Sequence, residues 1–199
     1  MSKISGKPIY QSFIGRLPTV VCEQIIAQGD ELEKTQATIM KQDGQFGASL
    51  DRRKTQVSFW DKWHWINGIM SHYIAMSNRE HWQFDVVISE GVQYAVYDKE
   101  AFYGWHTDTY SKPISHSETG NVPMNRLVSA VLNLSPADDY SGGELMFRDI
   151  AGQVHQHPEF KTQGSIVVFP SELEHQVTPV TSGVRKSCVS WILGHEVEE

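Results

Sequence analysis

The sequence predicts an α+β protein with a mainly β core: a double-sheet jelly roll braced by N-terminal helices. Over the first 80 or so residues the apolar positions recur at three- and four-residue steps, which is typical of helices. From about residue 84 they alternate with a period of two, and no helical pattern separates the strand-like segments, which disfavours a parallel α/β fold. We therefore expect a single domain over residues 1–199, with 1–82 mainly helical support and 83–194 the jelly-roll core.

Two helices are expected before the sheet. Pro18 suits the start of the first, because its missing N–H has no helical partner to lose, and Val21 and Ile25 follow on one side. The second is expected after Asp61, an effective N-cap residue, and to end near Asn78. The early tryptophans of this helix, Trp63 and Trp65, are expected in the core.

Eight segments are expected to be strands, because each alternates or is continuously apolar and Gly, Pro, Asn or Asp punctuates most of the gaps. They are FDVVIS (84–89), GVQYAVYD (91–98), FYGWHTD (102–108), RLVSAVLNLS (126–135), GELMFRD (143–149), GSIVVFP (164–170), HQVTPV (175–180) and VRKSCVSWIL (184–193).

Composition narrows the class of partner. The chain has 40% hydrophobic and 21% charged residues and a formal net charge of -7, so nucleic-acid phosphate would repel it. The one dense basic run, Arg52-Arg53-Lys54, is short and is interpreted as the solvent-exposed start of a strand. No run approaches the roughly 18 apolar residues of a membrane span, and the N-terminus lacks the apolar region of a signal peptide. Buried thiols are expected for Cys22 and Cys188, and a cytoplasmic location for the chain.

Candidate metal ligands come from one of three His-x-acid tripeptides, where chance alone predicts about one. These are His106-Thr107-Asp108, His116-Ser117-Glu118 and His157-Pro158-Glu159. On a strand, residues i and i+2 share a side, so His106 and Asp108 project together while Tyr103, Trp105 and Thr107 point the other way. His157 precedes a proline, which disfavours a central strand, and His116 lies in a turn-rich stretch. The first pair is therefore favoured.

His175 is the best candidate for a third ligand. An apolar strand ends at Pro170, and a polar turn delivers His175 onto the next strand; an exposed loop histidine beside Glu172 and Glu174 is the alternative. Two imidazoles and one carboxylate are the ligand set of non-haem Fe(II) oxygenases, and they leave open positions on the ion. Structural zinc fits poorly, because it prefers four ligands that usually include cysteine.

Arg185 is the candidate anchor for an anionic co-substrate. It lies ten residues beyond His175 in an otherwise apolar strand. A buried guanidinium needs an anion, and it can bind a carboxylate through two hydrogen bonds. Ser187 shares its face and could donate a hydroxyl. An outward-facing arginine is the alternative.

These residues resemble the Fe(II)/2-oxoglutarate dioxygenase superfamily, especially its prolyl 4-hydroxylase-like branch with the PKHD-type hydroxylases. The resemblance rests on HTD at 106–108, LNLS at 132–135, YSGGEL at 140–145, His175 and Arg185, and it extends over roughly residues 83 to 194. It implies a double-stranded β-helix with Fe(2+) held by His106, Asp108 and His175. It also implies 2-oxoglutarate held by Arg185, O2 as oxidant and ascorbate as an accessory reductant.

The same resemblance extends to less specific positions. Tyr97, Ser187 and Asn133 are assigned with Arg185 to the 2-oxoglutarate site, and Trp191 and Tyr103 to the pocket and substrate. At the position of Asn133 several animal relatives have a tyrosine. An aromatic residue on a buried strand is also a normal core residue, so a packing role remains the alternative.

The implied reaction is hydroxylation of an unactivated C–H bond, with succinate and CO2 as products. A prolyl residue in a peptide or protein is the leading substrate; another protein residue, a free amino acid or a small metabolite is the alternative. The carboxylate of Asp108 favours hydroxylation over halogenation, since related halogenases lack it. The long 109–125 connection is the candidate substrate-covering loop. A metal-binding jelly roll without catalysis is the remaining alternative.

Overall fold

The computed structural model describes residues 6–40, 46–115 and 117–195, and it has the expected α+β composition with a β core. The helices in these residues are α1 Thr19–Glu31 and α2 Trp65–Ser77, the second continued by a π-helical turn, Asn78–Trp82. Short 3-10 turns lie at Ser117–Thr119, Ala137–Asp139 and Pro158–Lys161. The strands are β1 Gln11–Phe13, β2 Thr35–Gln36, β3 Ile39–Met40, β4 Phe46–Gly47, β5 Arg53–Lys54, β6 Gln56–Trp60, β7 Val86–Tyr97, β8 Phe102–His106, β9 Ile114–Ser115, β10 Pro123–Asn133, β11 Tyr140–Gly142, β12 Leu145–Arg148, β13 Val154–Gln156, β14 Ile166–Pro170, β15 Glu174–Val177, β16 Val180–Gly183 and β17 Arg185–Gly194.

Two antiparallel sheets form the jelly roll. The major sheet has the order β1-β14-β10-β17-β7-β6-β2, with β9 paired to β10. The minor sheet has the order β13-β12-β15-β8-β5. Two further pairs, β11-β16 and β3-β4, complete the strands of the described residues. Most neighbours are far apart in sequence, as expected for a jelly roll.

Because side chains alternate between the two faces of a strand, the major sheet has a hydrophobic core on each face. On β7, Tyr94 and Val96 face the helices, where they pack with Ile25 of α1 and Ile74 of α2. The intervening Ala95 and its neighbours on that face belong to a second core between the two sheets. Phe147 of the minor sheet and Phe169 of the major sheet also contribute to this second core, with ring centroids 4.9 Å apart. The major sheet is therefore covered on one face by helices and on the other by the minor sheet.

The first 82 residues contribute more strand than the periodicity predicts. β1 pairs with β14 at one edge of the major sheet, β6 pairs with β7, and β5 extends the minor sheet beside β8. These strands are too short for an alternating pattern to stand out, so the sequence pattern did not predict them. The expected strands at 84–89 and 91–98 are one strand, β7, and Gly91 with φ of +99° lies in it without ending it.

Both helices form, but the second begins later than expected. α1 follows Pro18 directly, whereas α2 starts after His64. The carboxylate of Asp61 accepts a hydrogen bond from the N–H of Trp63 and so stabilises the turn before the helix. Trp63 is 83% exposed and Trp65 41% exposed, so the expectation that both lie in the core is wrong. In the residues that the structure describes, neither helix is long and apolar enough to span a bilayer.

The cysteines are as expected. Cys22 of α1 and Cys188 of β17 are both buried and free. They lie in the core between the helices and the major sheet, where burial raises the pKa of both thiols. They are therefore apolar packing groups in this fold.

The two glycines of the GGEL turn have left-handed backbone conformations and close neighbours. Gly142 has φ of +73°, and a Cβ there would lie 2.1 Å from the carbonyl oxygen of Pro179. Gly143 has φ of +65°, and its Cβ would lie 3.0 Å from Cδ of Arg185. The turn therefore packs directly on the arginine that the sequence assigns to the co-substrate.

We expect Gly142→Ala to lower the free energy of unfolding by at least about 2 kcal/mol, because it combines a left-handed backbone with overlap against a backbone oxygen. Urea unfolding measures this loss. Gly68→Ala is the matched control: Gly68 lies in α2, and a Cβ there would meet no atom within 4 Å, so alanine should stabilise the protein by about 0.5–1 kcal/mol. Equal stability of the two variants would contradict this account of the turn.

Candidate metal centre

His106, Asp108 and His175 meet on the face of the minor sheet that lines a cavity shared with the major sheet. Their candidate ligand atoms all lie within 4.8 Å of one another. The two histidines are register partners on adjacent strands, His106 at the end of β8 and His175 on β15. Asp108 lies just beyond β8, and its N–H donates to the carbonyl oxygen of Ser171 at 2.9 Å. The strand ends before Asp108, so this hydrogen bond, rather than strand periodicity alone, fixes where the carboxylate projects.

Each histidine ring is oriented by its own backbone. Nδ1 of His106 lies 2.8 Å from the carbonyl oxygen of Gly104, and Nδ1 of His175 lies 2.9 Å from that of Leu173. A carbonyl oxygen only accepts, so Nδ1 carries the proton in both rings and Nε2 keeps its lone pair. The two Nε2 atoms lie 3.7 and 3.5 Å from the carboxylate oxygens of Asp108. Both rings thus present a metal-ligating nitrogen to the same point.

The carboxylate of Asp108 is held by a chain of hydroxyls. Ser129 Oγ donates to Asp108 Oδ2 at 2.8 Å, and the hydroxyl of Ser171 lies 2.8 Å from Ser129 Oγ. Burial alone would raise the pKa of Asp108, but the electrostatic influence of His175, His106 and Arg126 outweighs it and lowers the pKa to about 2. The group is therefore an anion at neutral pH.

His106 is held neutral. Burial is the main reason that its pKa lies well below the usual value, and the neighbouring His175 lowers it further. The ring of Tyr103 stacks on that of His106 with centroids 3.4 Å apart. Strict alternation would turn Tyr103 away, but the register between β8 and β15 shifts in this stretch and brings both rings to one side.

This ligand set suits a divalent ion with open coordination positions. Two imidazoles and one carboxylate can supply three ligands and leave the rest of the coordination sphere to other molecules. Within residues 6–40, 46–115 and 117–195, no other group of three His, Cys, Asp or Glu side chains comes close enough to share an ion. His157 is exposed and packs against Tyr10 and Phe160; His116 lies outside the described residues.

Arg185 lies beside this centre, on the major sheet. It is 3% exposed, and its Nη1 donates to Ser187 Oγ at 3.0 Å, while its buried Nε has no partner. Its register partner on β7 is Tyr97, whose ring centre is 5.1 Å from the guanidinium carbon. The inner cavity is lined by all three side chains together with His106 and His175.

Asn133 is not part of this lining, which contradicts its expected place at the co-substrate. Its side-chain amide donates to the carbonyl oxygens of Ser135 and Lys161, both at 2.8 Å, so both hydrogens are used in loop contacts. Its Oδ1 accepts from the hydroxyl of Tyr140 at 3.2 Å. Asn133 is a structural residue here, and Tyr140, near Arg185, was missed because it lies in a three-residue strand.

An outer cleft adjoins the inner cavity and shares Asp108, Tyr103 and Trp191 with it. Arg126 stacks on Trp191, 3.9 Å from the ring centre, and its Nε donates to Glu90 Oε2 at 2.6 Å. Tyr103 and Trp191, the aromatics that the sequence assigns to the pocket, thus line both cavities, and their contact with substrate stays a prediction. Burial raises the pKa of Tyr103 to about 12, so its hydroxyl stays protonated.

Arg53, Gln93 and Arg126 also line the outer cleft, and sequence reasoning missed all three. Arg53 was interpreted as part of a solvent-exposed basic run, but it is only 6% exposed. β5 has two residues, so no periodicity could have indicated that Arg53 points inward and Arg52 outward. Strict alternation within RLVSAVLNLS would put Arg126 on the same face as Val128, which packs in the core beneath the helices. The register shift between Arg126 and Val128 instead turns Arg126 to the cleft, and sequence pattern does not show such a shift.

The 109–125 connection starts and ends at the cleft. Its base is closed by two hydrogen bonds, from the N–H of Tyr110 to Asn125 Oδ1 at 2.7 Å and from Asn125 Nδ2 to the carbonyl oxygen of Tyr110 at 3.0 Å. Further along, Glu118 forms an ion pair with Lys62, which precedes α2. The connection therefore spans from the cleft to the loop before the second helix.

The comparisons with known proteins agree with this geometry. Residues 92–193, half of the chain, match the family model of the 2OG-Fe(II) oxygenase superfamily. The PKHD-type hydroxylase NE2125 of Nitrosomonas europaea is 40% identical over 90 residues, which are 45% of this chain and 37% of that protein. The PKHD-type hydroxylase YbiX of Escherichia coli O6:K15:H31 is 40% identical over 96 residues, 48% of this chain and 40% of that protein. The match thus spans less than half the length of these relatives.

Solved structures share the fold across nearly the whole chain. A prolyl-4-hydroxylase from Pseudomonas putida superposes with a TM-score of 0.70 at 20% identity, covering 98% of this chain and 96% of that one. A Trichoplax adhaerens prolyl hydroxylase, in complex with a hypoxia inducible factor oxygen degradation domain peptide fragment, gives 0.73 at 13% identity, covering 96% and 86%. At these identities the likeness establishes the double-stranded β-helix fold.

We expect Ser129→Ala to weaken metal binding about 10- to 100-fold, because the carboxylate of Asp108 loses the hydroxyl that orients it. Anaerobic titration with Fe(II) or Mn(II), followed by calorimetry, measures the affinity. Ser58→Ala is the matched control, since Ser58 is a buried serine whose hydroxyl has no hydrogen-bond partner. Unchanged affinity in Ser129→Ala would show that the hydroxyl chain does not position the carboxylate.

Proposed function

Because this chain belongs to the 2OG-Fe(II) oxygenase superfamily, we propose that it hydroxylates a prolyl residue in a peptide or protein, with succinate and CO2 as co-products. The observation that carries the proposal is the convergence of His106, Asp108 and His175 directly beside the buried Arg185. A structural metal site alone has no need of a second, cationic site facing the same cavity.

The protein's first task is to hold iron while leaving room for reactants. Nε2 of His106, Nε2 of His175 and the carboxylate of Asp108 would hold Fe(II). When bound, iron and 2-oxoglutarate would supply the four-electron reduction of O2: two electrons come from decarboxylation of 2-oxoglutarate to succinate and CO2, and two from the substrate C–H bond. One oxygen atom then enters succinate and the other forms the substrate hydroxyl group. The presence of Asp108 supports hydroxylation, because the carboxylate occupies the position that a halide would need.

The second task is to orient the co-substrate. Arg185 binds the carboxylate of 2-oxoglutarate that lies away from the metal, since its guanidinium is buried, faces the inner cavity and has free donors. Ser187 fixes one end of that guanidinium, and the ring of Tyr97 supports it from β7. In this dry setting the ion pair between Arg185 and the co-substrate is strong.

The third task is to present the substrate C–H bond and keep water away. The outer cleft beside Asp108 is lined by Tyr103 and Trp191, whose aromatic faces suit an apolar ring such as that of proline. The 109–125 connection covers the bound substrate. A prolyl peptide or protein as partner is supported by the prolyl hydroxylases among the structural neighbours, one of them in complex with a peptide fragment.

We expect the Fe(II)-loaded protein to release succinate from 2-oxoglutarate when a suitable prolyl peptide is present, and the peptide to gain about 16 Da, one oxygen atom. Mass spectrometry over a library of peptides and amino acids detects the product. His106→Ala should fold but produce neither succinate nor hydroxylated peptide, because it lacks one metal ligand. If succinate were released only in the presence of free amino acids, the substrate would be a free amino acid rather than a peptide. If no succinate were released although iron is bound, a non-catalytic metal-binding module would be favoured.

We expect Arg185→Ala to raise the KM for 2-oxoglutarate at least about 100-fold, because the co-substrate loses a buried charge-assisted pair. Steady-state succinate release measures this. Lys186→Ala is the control from the adjacent position on β17, where the side chain forms an exposed ion pair with Asp30 on the other face of the sheet. If the two variants had similar KM values, Arg185 would not be the co-substrate anchor.

A further inference from the structure

Arg53 is a buried cation without an acidic partner in the described residues. It is 6% exposed and lies on the short strand β5, at the edge of the minor sheet. Its Nη1 donates to the carbonyl oxygen of Thr38 and its Nη2 to Gln93 Oε1, both at 3.3 Å, which is long for such bonds. Its Nε is buried and has no hydrogen-bond partner. The guanidinium is therefore neither neutralised nor fully hydrogen-bonded.

The other buried cations around the cleft are accounted for. Arg126 is paired with Glu90 at 2.6 Å. Arg185 is the proposed partner of 2-oxoglutarate, whose two negative charges, with that of Asp108, offset Arg185 and Fe(II) together. Arg53 is thus the one cationic side chain among the described cleft residues that the proposed complex leaves unbalanced. A buried charge without a counterion is costly, so an anion is expected to meet it when the site is filled.

The position of Arg53 places that anion on the substrate side. Arg53 is the register partner of Tyr103, and its guanidinium carbon lies 4.3 Å from the centre of that ring. The same ring stacks on His106 at 3.4 Å. Arg53 lines both the inner cavity and the outer cleft, and it is thus separated from a metal ligand by one aromatic layer. An anion bound there lies next to the reacting centre but away from Arg185.

We propose that Arg53 binds a carboxylate of the substrate and so makes the enzyme selective for an acid whose carboxylate is close to the oxidised C–H bond. The inference rests on the proposed hydroxylase function and narrows its substrate class. Two sources supply the same chemistry: the terminal carboxylate of a C-terminal residue, or the side chain of an Asp or Glu next to the target residue. The planar guanidinium, supported by Tyr103 and Gln93, offers a bidentate site for either.

The test compares acids with their neutral counterparts. Acetyl-Ala-Pro is titrated as its free acid and as its amide, and acetyl-Asp-Pro-amide is titrated against acetyl-Asn-Pro-amide, into protein loaded with Mn(II) and 2-oxoglutarate so that no turnover occurs. Calorimetry gives the affinities. In the natural protein the acid of one pair should bind about tenfold tighter than its neutral counterpart, the scale of one charge-assisted hydrogen bond. The pair that shows the preference identifies the source of the carboxylate.

Variants assign that preference to one side chain. Arg53→Gln should reduce the preference for the acid to less than about twofold. Arg53→Lys keeps the charge but not the planar pair of N–H donors, so it should retain part of the preference. Arg52→Gln is the matched control, because Arg52 precedes Arg53 directly and is exposed. Unchanged affinity for 2-oxoglutarate in Arg53→Gln shows that the variant is folded; if it is not, Arg53→Lys and the natural protein carry the comparison.

Equal affinity for acid and neutral probes in the natural protein, including the case in which none binds, overturns the proposal, as does a preference that persists in Arg53→Gln. Failure of this inference can be separated from failure of the proposed function. If the neutral probes still support succinate release with Fe(II) and gain an oxygen atom, the hydroxylase function stands and only the carboxylate assignment falls.

Discussion

The site depends on one cross-strand register, the pairing of His106 on β8 with His175 on β15. Residues that face each other across an antiparallel pair have adjacent Cβ atoms, so this register brings two imidazoles together that are far apart in sequence. Asp108 reaches the same point because it follows His106 by two residues, and its N–H is fixed by a hydrogen bond to the carbonyl oxygen of Ser171. A slip of one residue would turn one histidine to the opposite face and abolish the centre.

The two sheets divide the chemistry between them. The minor sheet carries His106 and His175, and the major sheet carries Arg185 with Tyr97 as its register partner. Between the sheets lies an apolar core that excludes water behind the cavity. Charges that face one another across such a gap interact strongly, since little solvent screens them. The distance between metal centre and arginine is therefore set by how the sheets pack, not by any local loop.

Much of this architecture follows from sequence pattern, because strands and ligand pairs are local. The period of two predicts the β core, and the spacing of His106 and Asp108 predicts a shared side. What could not be predicted depends on pairing between distant strands. The burial of Arg53 follows from its register with Tyr103, and β5 is too short to show a pattern. The sequence also could not predict that the amide of Asn133 is used in loop contacts, because this depends on where Ser135 and Lys161 lie in the fold.

The backbone carbonyls that fix both histidine rings have an implication for how such a chain can diverge. Gly104 and Leu173 contribute only main-chain oxygen atoms to the rings of His106 and His175. Because the acceptors are main-chain atoms, the tautomers do not depend on which side chains stand at positions 104 and 173, whereas Tyr103, Phe147 and Phe169 still pack against the rings. A substitution at a cleft position that does not touch the rings leaves these main-chain hydrogen bonds in place, so substrate preference can change there separately from metal binding.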